Sequence, residues 1–382
     1  MSSEGGSLQL QPLPAESLSP AVAGLVGGAT PAKLMAGRGM AAVRPAELLV
    51  AIYQLSFDAE PTVRAAAEAA PAGLPDNVIG PPLGEALPAS LLHFFATRLP
   101  DARAAALEKI LYNPATADQT FVTLAARLNE SLLEIIFQNE VRLLRCPAIV
   151  QALFFNKRAR MSSVNRAVEL CARNGVRVEG IPAFDEFVSA IRQDPEALDG
   201  AVVDGRFQAA LTAAEAAPVG DQESGQGDEL FDEEMAPEEK DRAVNMSFIK
   251  FDELRVFEKI RLATIGNAYC RRVLVRDANK LVAMTVIRSP QLTDMEIRQI
   301  AGSTTVCDDV IRYIANNREC SKDYPVKLAL VSNPKCPVGS SLRFLVYLHQ
   351  DDLRNISRSR NIPGALAAAA KKLLQQREGG RH

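Results

Sequence analysis

The chain has 382 residues, 47% hydrophobic and 23% charged, enough for two or three domains with buried cores. It has no tryptophan and only three histidines, His93, His349 and His382, which argues against histidine-based metal sites and catalytic triads. The net charge of −3 conceals three blocks. Residues 1–193 carry 17 Lys/Arg against 18 Asp/Glu, residues 194–246 carry 3 against 15, and residues 247–382 carry 23 against 13, so a near-neutral, an acidic and a basic segment follow one another.

Residues 1–20 are rich in Ser, Gly and Pro and predict a disordered tail. They contain no basic stretch leading into an apolar one, and no run of about 18 apolar residues occurs anywhere, so neither a signal peptide nor a membrane span is expected. The six cysteines form no CxxC pair, which suits a reducing compartment and predicts a cytoplasmic protein. An N-terminal helical domain is expected over 21–193. In LEKILYN (107–113), LLEIIFQN (132–139) and VQALFFN (150–156) apolar residues recur at steps of three and four. Prolines at short intervals limit its helices to roughly 8–15 residues. Residues 194–246 are polar, acidic and nearly free of periodicity, predicting a disordered linker. Helical periodicity resumes in 247–376, the second domain, and 377–382 are expected to fray.

An apolar helix ending in asparagine recurs along the chain, at Asn113, Asn139, Asn156, Asn316 and Asn333, with Ser289-Pro290 as a variant. Asparagines 139 and 156 are separated by 17 residues, as are 316 and 333, while longer intervals of 43 and 44 residues run from Asn113 to Asn156 and from Ser289 to Asn333. Within the second half, IRLATIGNAYCRRVL from Ile260 parallels IRQIAGSTTVCDDVI from Ile297. Such echoes suit repeated helix pairs that stack to bury their apolar faces. Asparagine is expected there because it tolerates the left-handed conformation that often closes a helix.

DAEPTVRAAAEAA (58–70), with Asp58, Pro61, Val63, Arg64, Ala66 and Ala67, resembles a HEAT-type repeat, and NPKCPVGSSLRFLVYL and SRNIPGALAAAAKKL resemble units of the leucine-rich-repeat-variant type. The resemblance implies an all-α fold, a HEAT-like α-solenoid in two segments around the acidic linker. It implies no particular activity.

No GxSxG, HExxH, Walker or zinc-finger spacing is present. Cys307, Cys320, Cys336 and His349 are too far apart in sequence to favour zinc over small buried residues, and His93, in LLHFFATRL, reads as a packed helix histidine. No catalytic, cofactor-binding or metal residue is therefore assigned. Two basic clusters stand out: Arg271, Arg272, Arg276 and Lys280, and Arg354, Arg358, Arg360, Lys371 and Lys372. They can be solvated faces, a protein-partner surface, or phosphate contacts to nucleic acid. Arginines after Ile or Leu (Arg261, Arg298, Arg343, Arg354) can form a ladder onto the carbonyls of a preceding loop, or line a groove. Residues 221–241, where Leu230 and Phe231 sit among carboxylates, can serve as a solvated spacer or dock on one of the basic clusters. These readings together give a non-catalytic cytosolic scaffold or adaptor for a protein or peptide partner, with a nucleic-acid-associated protein as the alternative.

Overall fold

The computed structural model describes residues 8–216, 251, 253–359 and 361–379. Among these are 23 α-helices and one short 3-10 turn, and no strand: the protein is all-α. The chain divides into two compact units, 1–180 and 181–382.

The first unit holds α1 (Pro20–Val26), α2 (Thr30–Gly37), α3 (Pro45–Leu55), α4 (Pro61–Gly73), α5 (Asp76–Leu83), α6 (Ala89–Arg98), α7 (Ala104–Tyr112), α8 (Asp118–Ala125), α9 (Glu130–Gln138), α10 (Glu140–Arg145), α11 (Pro147–Phe155) and α12 (Met161–Arg173). Proline opens several of them, as at Pro45, Pro61 and Pro147, where its missing N–H costs nothing and its φ suits the first turn. Each helix packs chiefly on the one two along: α1 on α3, α2 on α4, and so on to α7 on α9. These packed partners start 25 to 31 residues apart, the long end being shared by Thr30 with Pro61 and Pro45 with Asp76. Stacking of this kind follows from helices with one apolar stripe, none of which can bury that stripe alone. Leu49, Ile52, Tyr53, Phe94 and Phe95 are fully buried, and the Tyr53 and Phe94 rings meet edge to face at 5.4 Å. Each such large side chain contributes about 1.5–3 kcal/mol of burial.

The second unit holds α13 (Phe184–Gln193), α14 (Gly200–Ala216), α15 (Val256–Ile265), α16 (Ala268–Leu274), α17 (Lys280–Ile287), α18 (Asp294–Gly302), α19 (Asp308–Asn316), α20 (Tyr324–Ser332), α21 (Val338–Leu345), α22 (Gln350–Arg358) and α23 (Gly364–Gly379). The same alternate packing recurs in α13 on α15, α15 on α17, α17 on α19, α18 on α20 and α21 on α23. Helix starts are capped locally: Asn267 accepts from the Cys270 N–H at 3.0 Å, and Thr293 with Glu296 forms a reciprocal capping box. Gly266 permits the sharp turn between α15 and α16, since a Cβ there would lie 2.5 Å from the Leu262 carbonyl and 2.6 Å from Cys270.

The structure departs from the sequence reading at three boundaries. Residues 8–19 are not a free tail: Leu13 N–H donates to Gln54 at 2.9 Å and the Tyr53 hydroxyl donates to the Gln11 carbonyl at 2.6 Å, fastening the strip to α3. The division falls at 180/181, and not at 193, because α13 packs on α15. The stretch read as the start of the acidic linker contains α14, which buries Val203, Phe207, Ala210, Leu211 and Ala214. Its carboxylates made it look like solvated chain, but Asp204 and Glu215 are dispersed around an apolar stripe of helical spacing. Residues 217–250, with the remaining acidic block and the 221–241 segment read as spacer or docking element, lie outside the described residues.

Candidate interaction surface

The recurring asparagines turn out to be stitches between neighbouring helices. Asn113, at the end of α7, donates from Nδ2 to the carbonyls of Leu83 and Glu85 at the end of α5, both at 2.7 Å. Asn156 donates to Ala125 and Leu128 at 2.8 and 3.1 Å, closing α8, and Asn333 to Ala301 and Ser303 at 2.8 and 2.9 Å, closing α18. In each case Oδ1 accepts the N–H two residues on, at 2.9–3.0 Å. All three residues are buried. Their backbones are extended, with φ/ψ of −71/121°, −76/116° and −86/120°. The left-handed conformation expected of them is therefore not used. Asparagine is needed because one amide can accept at its own turn and donate to two orphan carbonyls next door. Ser289 is a weaker version, donating to the Thr264 carbonyl at 3.4 Å. Asn139 instead caps α10 through the Arg142 N–H and is exposed. Asn316 is the last, exposed residue of α19, and the turn amide there belongs to Asn317, one position later.

A second set of stitches is made by arginines, mostly ones the sequence did not single out. Arg103 donates to the carbonyls of Ala72 and Leu74 and to Asp76; Arg127 to Ala96 at 2.6 Å, Leu99 at 2.9 Å and to Asp101. Arg142 donates to Thr116 O at 2.7 Å and Asp118 at 2.9 Å, with its guanidinium 4.0 Å from the Phe121 ring centre. Arg158 reaches the Arg127 carbonyl at 3.2 Å. In the second unit Arg343 donates to Ala315 O at 2.9 Å and Arg377 to Leu348 and Val346 at 2.7 and 2.6 Å. A cation at the last carbonyls of a helix suits its dipole, and the added carboxylate neutralises the cation. The signal in the sequence is an aspartate two residues after a helix's last free carbonyl, answered by an arginine 24–27 positions later.

Of the arginines read as a possible ladder, Arg343 donates to a distant helix-end carbonyl, that of Ala315. Arg261 is wholly buried with its guanidinium 5.0 Å from the Phe207 ring centre, and burial drives its pKa down to about 9 against the pull of Asp204. Arg298 is exposed, and Arg354 pairs with Asp351 three residues back at 3.0 Å. Beside Arg261 in α15, the fully buried Glu258 takes both oxygens to Arg206 Nε at 3.0 Å and accepts the Arg255 N–H at 2.6 Å. Burial pushes that carboxyl up, opposed by the Arg255 N–H and by Arg206. This cluster fastens α14 to α15, and Asn267, at the start of α16, ties α14 to that helix by donating to the Ala214 carbonyl at 2.7 Å.

The basic clusters resolve into different roles. Arg271, expected on a surface, is buried: it pairs with Glu296 at 2.8 Å and donates to Gly266 O at 2.9 Å, because α18 presents its capping-box carboxylate to it. Lys280 pairs with Asp309 at 2.9 Å, Arg276 meets Thr305 at 3.0 Å, and Arg272 is half-buried. Arg358, Lys371 and Lys372 are exposed, as is Arg354, and Arg360 lies outside the described residues.

No group of three or more His, Cys, Asp or Glu side chains close enough to hold a metal ion occurs among the described residues. His93 Nδ1 shares a hydrogen bond with Thr120 Oγ1 at 3.0 Å, and burial lowers its pKa. His349 lies against the Tyr324 ring at 4.4 Å, and the Tyr324 hydroxyl donates to Asp352. Burial raises the thiols of Cys146, Cys320 and Cys336, and carries that of Cys171 to about 11. None is primed as a nucleophile.

Among the charged residues of the outer surface stand several large apolar side chains. In the first unit Tyr112 and Val141 are 61% and 76% exposed and border a shallow depression with Ile135. In the second, Val338, Leu342, Val346 and Tyr347 project from α21 and the turn after it. Compared with protein-family models, with curated proteins and with solved structures, the chain matches none.

Proposed function

We propose that the protein is a non-catalytic scaffold or adaptor of the HEAT-like kind, presenting a stacked-helix surface to a protein or peptide partner in the cytosol. One observation carries the reading: several asparagines and arginines are spent on closing neighbouring helix ends, while a set of large apolar side chains outside the core, Tyr112, Val141, Leu342, Val346 and Tyr347, is left exposed. Stacked helices with exposed tyrosines beside apolar side chains are suited to hold a partner, since tyrosine is enriched among the residues that dominate interface energetics.

The nucleic-acid reading draws less support from the first basic cluster, where Arg271 and Lys280 are paired with Glu296 and Asp309, and rests on the exposed Arg358, Lys371 and Lys372 of the second. The test is affinity capture from the native host with the full chain, followed by reconstitution with the purified partner, beside a titration with duplex DNA and RNA. A reconstituted protein complex supports the scaffold. Nucleic-acid binding with a steep log–log salt slope and no protein complex overturns it.

A further inference from the structure

The second unit carries an apolar ridge that its own fold does not use. Helix α21 turns Ser341, Phe344 and Leu345 inward. Val338 and Leu342, one helical turn apart, face out, and Val346 and Tyr347 extend the row past the helix end. Their exposures run from 38% to 64%, high for four large apolar side chains in succession.

Around the ridge stand three cations. Lys327 Nζ lies 5.6 Å from the Tyr347 ring centre and donates to the Lys322 carbonyl. Arg377 sits on the Val346 and Leu348 carbonyls, and Arg343, next to Leu342, on that of Ala315. Backbone carbonyls orient these groups without neutralising them, unlike Arg103 or Arg127, whose carbonyl bonds come with an aspartate. Of the two carboxylates at the end of the ridge, Asp351 is paired with Arg354, while Asp352 accepts from the neutral Tyr324 hydroxyl and keeps its charge. The result is an apolar row flanked by three oriented cations against one carboxylate, a net positive charge.

We infer that this face is the docking site for an acidic amphipathic helix of a partner protein, with Leu-type side chains laid along Val338, Leu342 and Val346 and carboxylates meeting Lys327, Arg343 and Arg377. The inference rests on the scaffold reading and names its surface. Apolar contact supplies affinity and the charges select the sign of the partner.

The probe is a fluorescein-labelled peptide of about 21 residues with leucines at helical i, i+3, i+4, i+7 spacing and glutamates elsewhere. It is titrated by anisotropy against the full chain. Saturable binding is expected that weakens about tenfold or more in the Leu342→Glu, Val346→Glu double variant. It should weaken comparably when lysines replace the glutamates, and severalfold between about 50 and about 300 mM salt. Both variant positions are exposed, and an unchanged thermal transition of the double variant confirms that its fold is intact. No saturable binding, or equal affinity for the lysine peptide or for the double variant, overturns the assignment. So does a dimer in sedimentation that Leu342→Glu dissolves, which gives the face to a second copy, or binding seen only after deletion of 221–241, which gives it to the chain's own segment. If the double variant still captures the host partner, the ridge is wrong and the scaffold reading stands; if the wild-type chain captures none, both fall.

Discussion

Replacing Asn333 tests what the stitching asparagines do. Its amide makes three bonds: to the Ala301 and Ser303 carbonyls at 2.8 and 2.9 Å, and from the Lys335 N–H at 3.0 Å. The residue is buried, so truncation to alanine leaves those groups with little access to water. At a net ~0.5–1.5 kcal/mol per bond, and somewhat more for an acceptor stranded inside, Asn333→Ala should cost about 3 kcal/mol. For a unit of this size that corresponds to a fall in melting temperature of about 6–12 °C, followed by circular dichroism at 222 nm or by calorimetry. Asn333→Gly separates this account from a conformational one. If asparagine were chosen for a left-handed backbone, glycine would be neutral or stabilising; at φ −86° it should be at least as costly as alanine. Asn333→Asp should be worse still near neutral pH, because a carboxylate would face two carbonyl oxygens, and should recover part of the loss in acid. A glycine variant as stable as the wild type would refute the reasoning.

Four further outcomes are expected. Arg206→Met should destabilise the second unit by about 3–5 kcal/mol by stranding the buried Glu258 carboxylate, whereas pairing it with Glu258→Met should restore much of the loss, as a double-mutant melt would show. Fragment 181–382 should melt cooperatively, while 247–382, which lacks α13 and α14, should not. Gly266→Ala should cost about 1–3 kcal/mol through its contacts with Leu262 O and Cys270. Lys33, 2.8 Å away, and the Glu60 N–H hold the Asp58 carboxyl below its ordinary range, so this pair contributes stability above that range and loses it as pH falls through the lowered folded value. The stability gap between wild type and Asp58→Asn should therefore be present at neutral pH and close as the pH falls below the ordinary aspartate range in a pH series of melts.

Helix periodicity was open to reading because it depends on short-range spacing alone: the all-α class follows from runs such as LLEIIFQN and the placement of Pro45, Pro61 and Pro147. The asparagines were visible as a pattern, yet their purpose was not, since the partner carbonyls lie 28–32 residues back and belong to the backbone, which has no letter in a sequence. The same blindness hid Arg127 and singled out Arg271, whose bond to Glu296 exists only once α18 has been laid beside it. Helix α14 was passed over because charge dominates the composition of 194–246, while the stripe through Val203, Phe207, Ala210 and Ala214 decides what that stretch does. The exposed ridge of α21 was unreadable for the opposite reason: Val338, Leu342 and Val346 have the spacing of core residues, and only their accessibility marks them out.

The stitches all point one way. Asn113, Asn156 and Asn333, and Arg103, Arg127, Arg142, Arg158, Arg343 and Arg377, each complete a helix end that lies earlier in the chain. Arg127 is both giver and receiver, closing Leu99 while its own carbonyl waits for Arg158. On a ribosome this direction becomes a clock. A helix end left open by one pair is closed only when roughly 30 further residues have emerged, about 2–6 s later at ordinary elongation rates. The growing edge is thus always the unfinished one, and every completed pair behind it is already sealed against fraying.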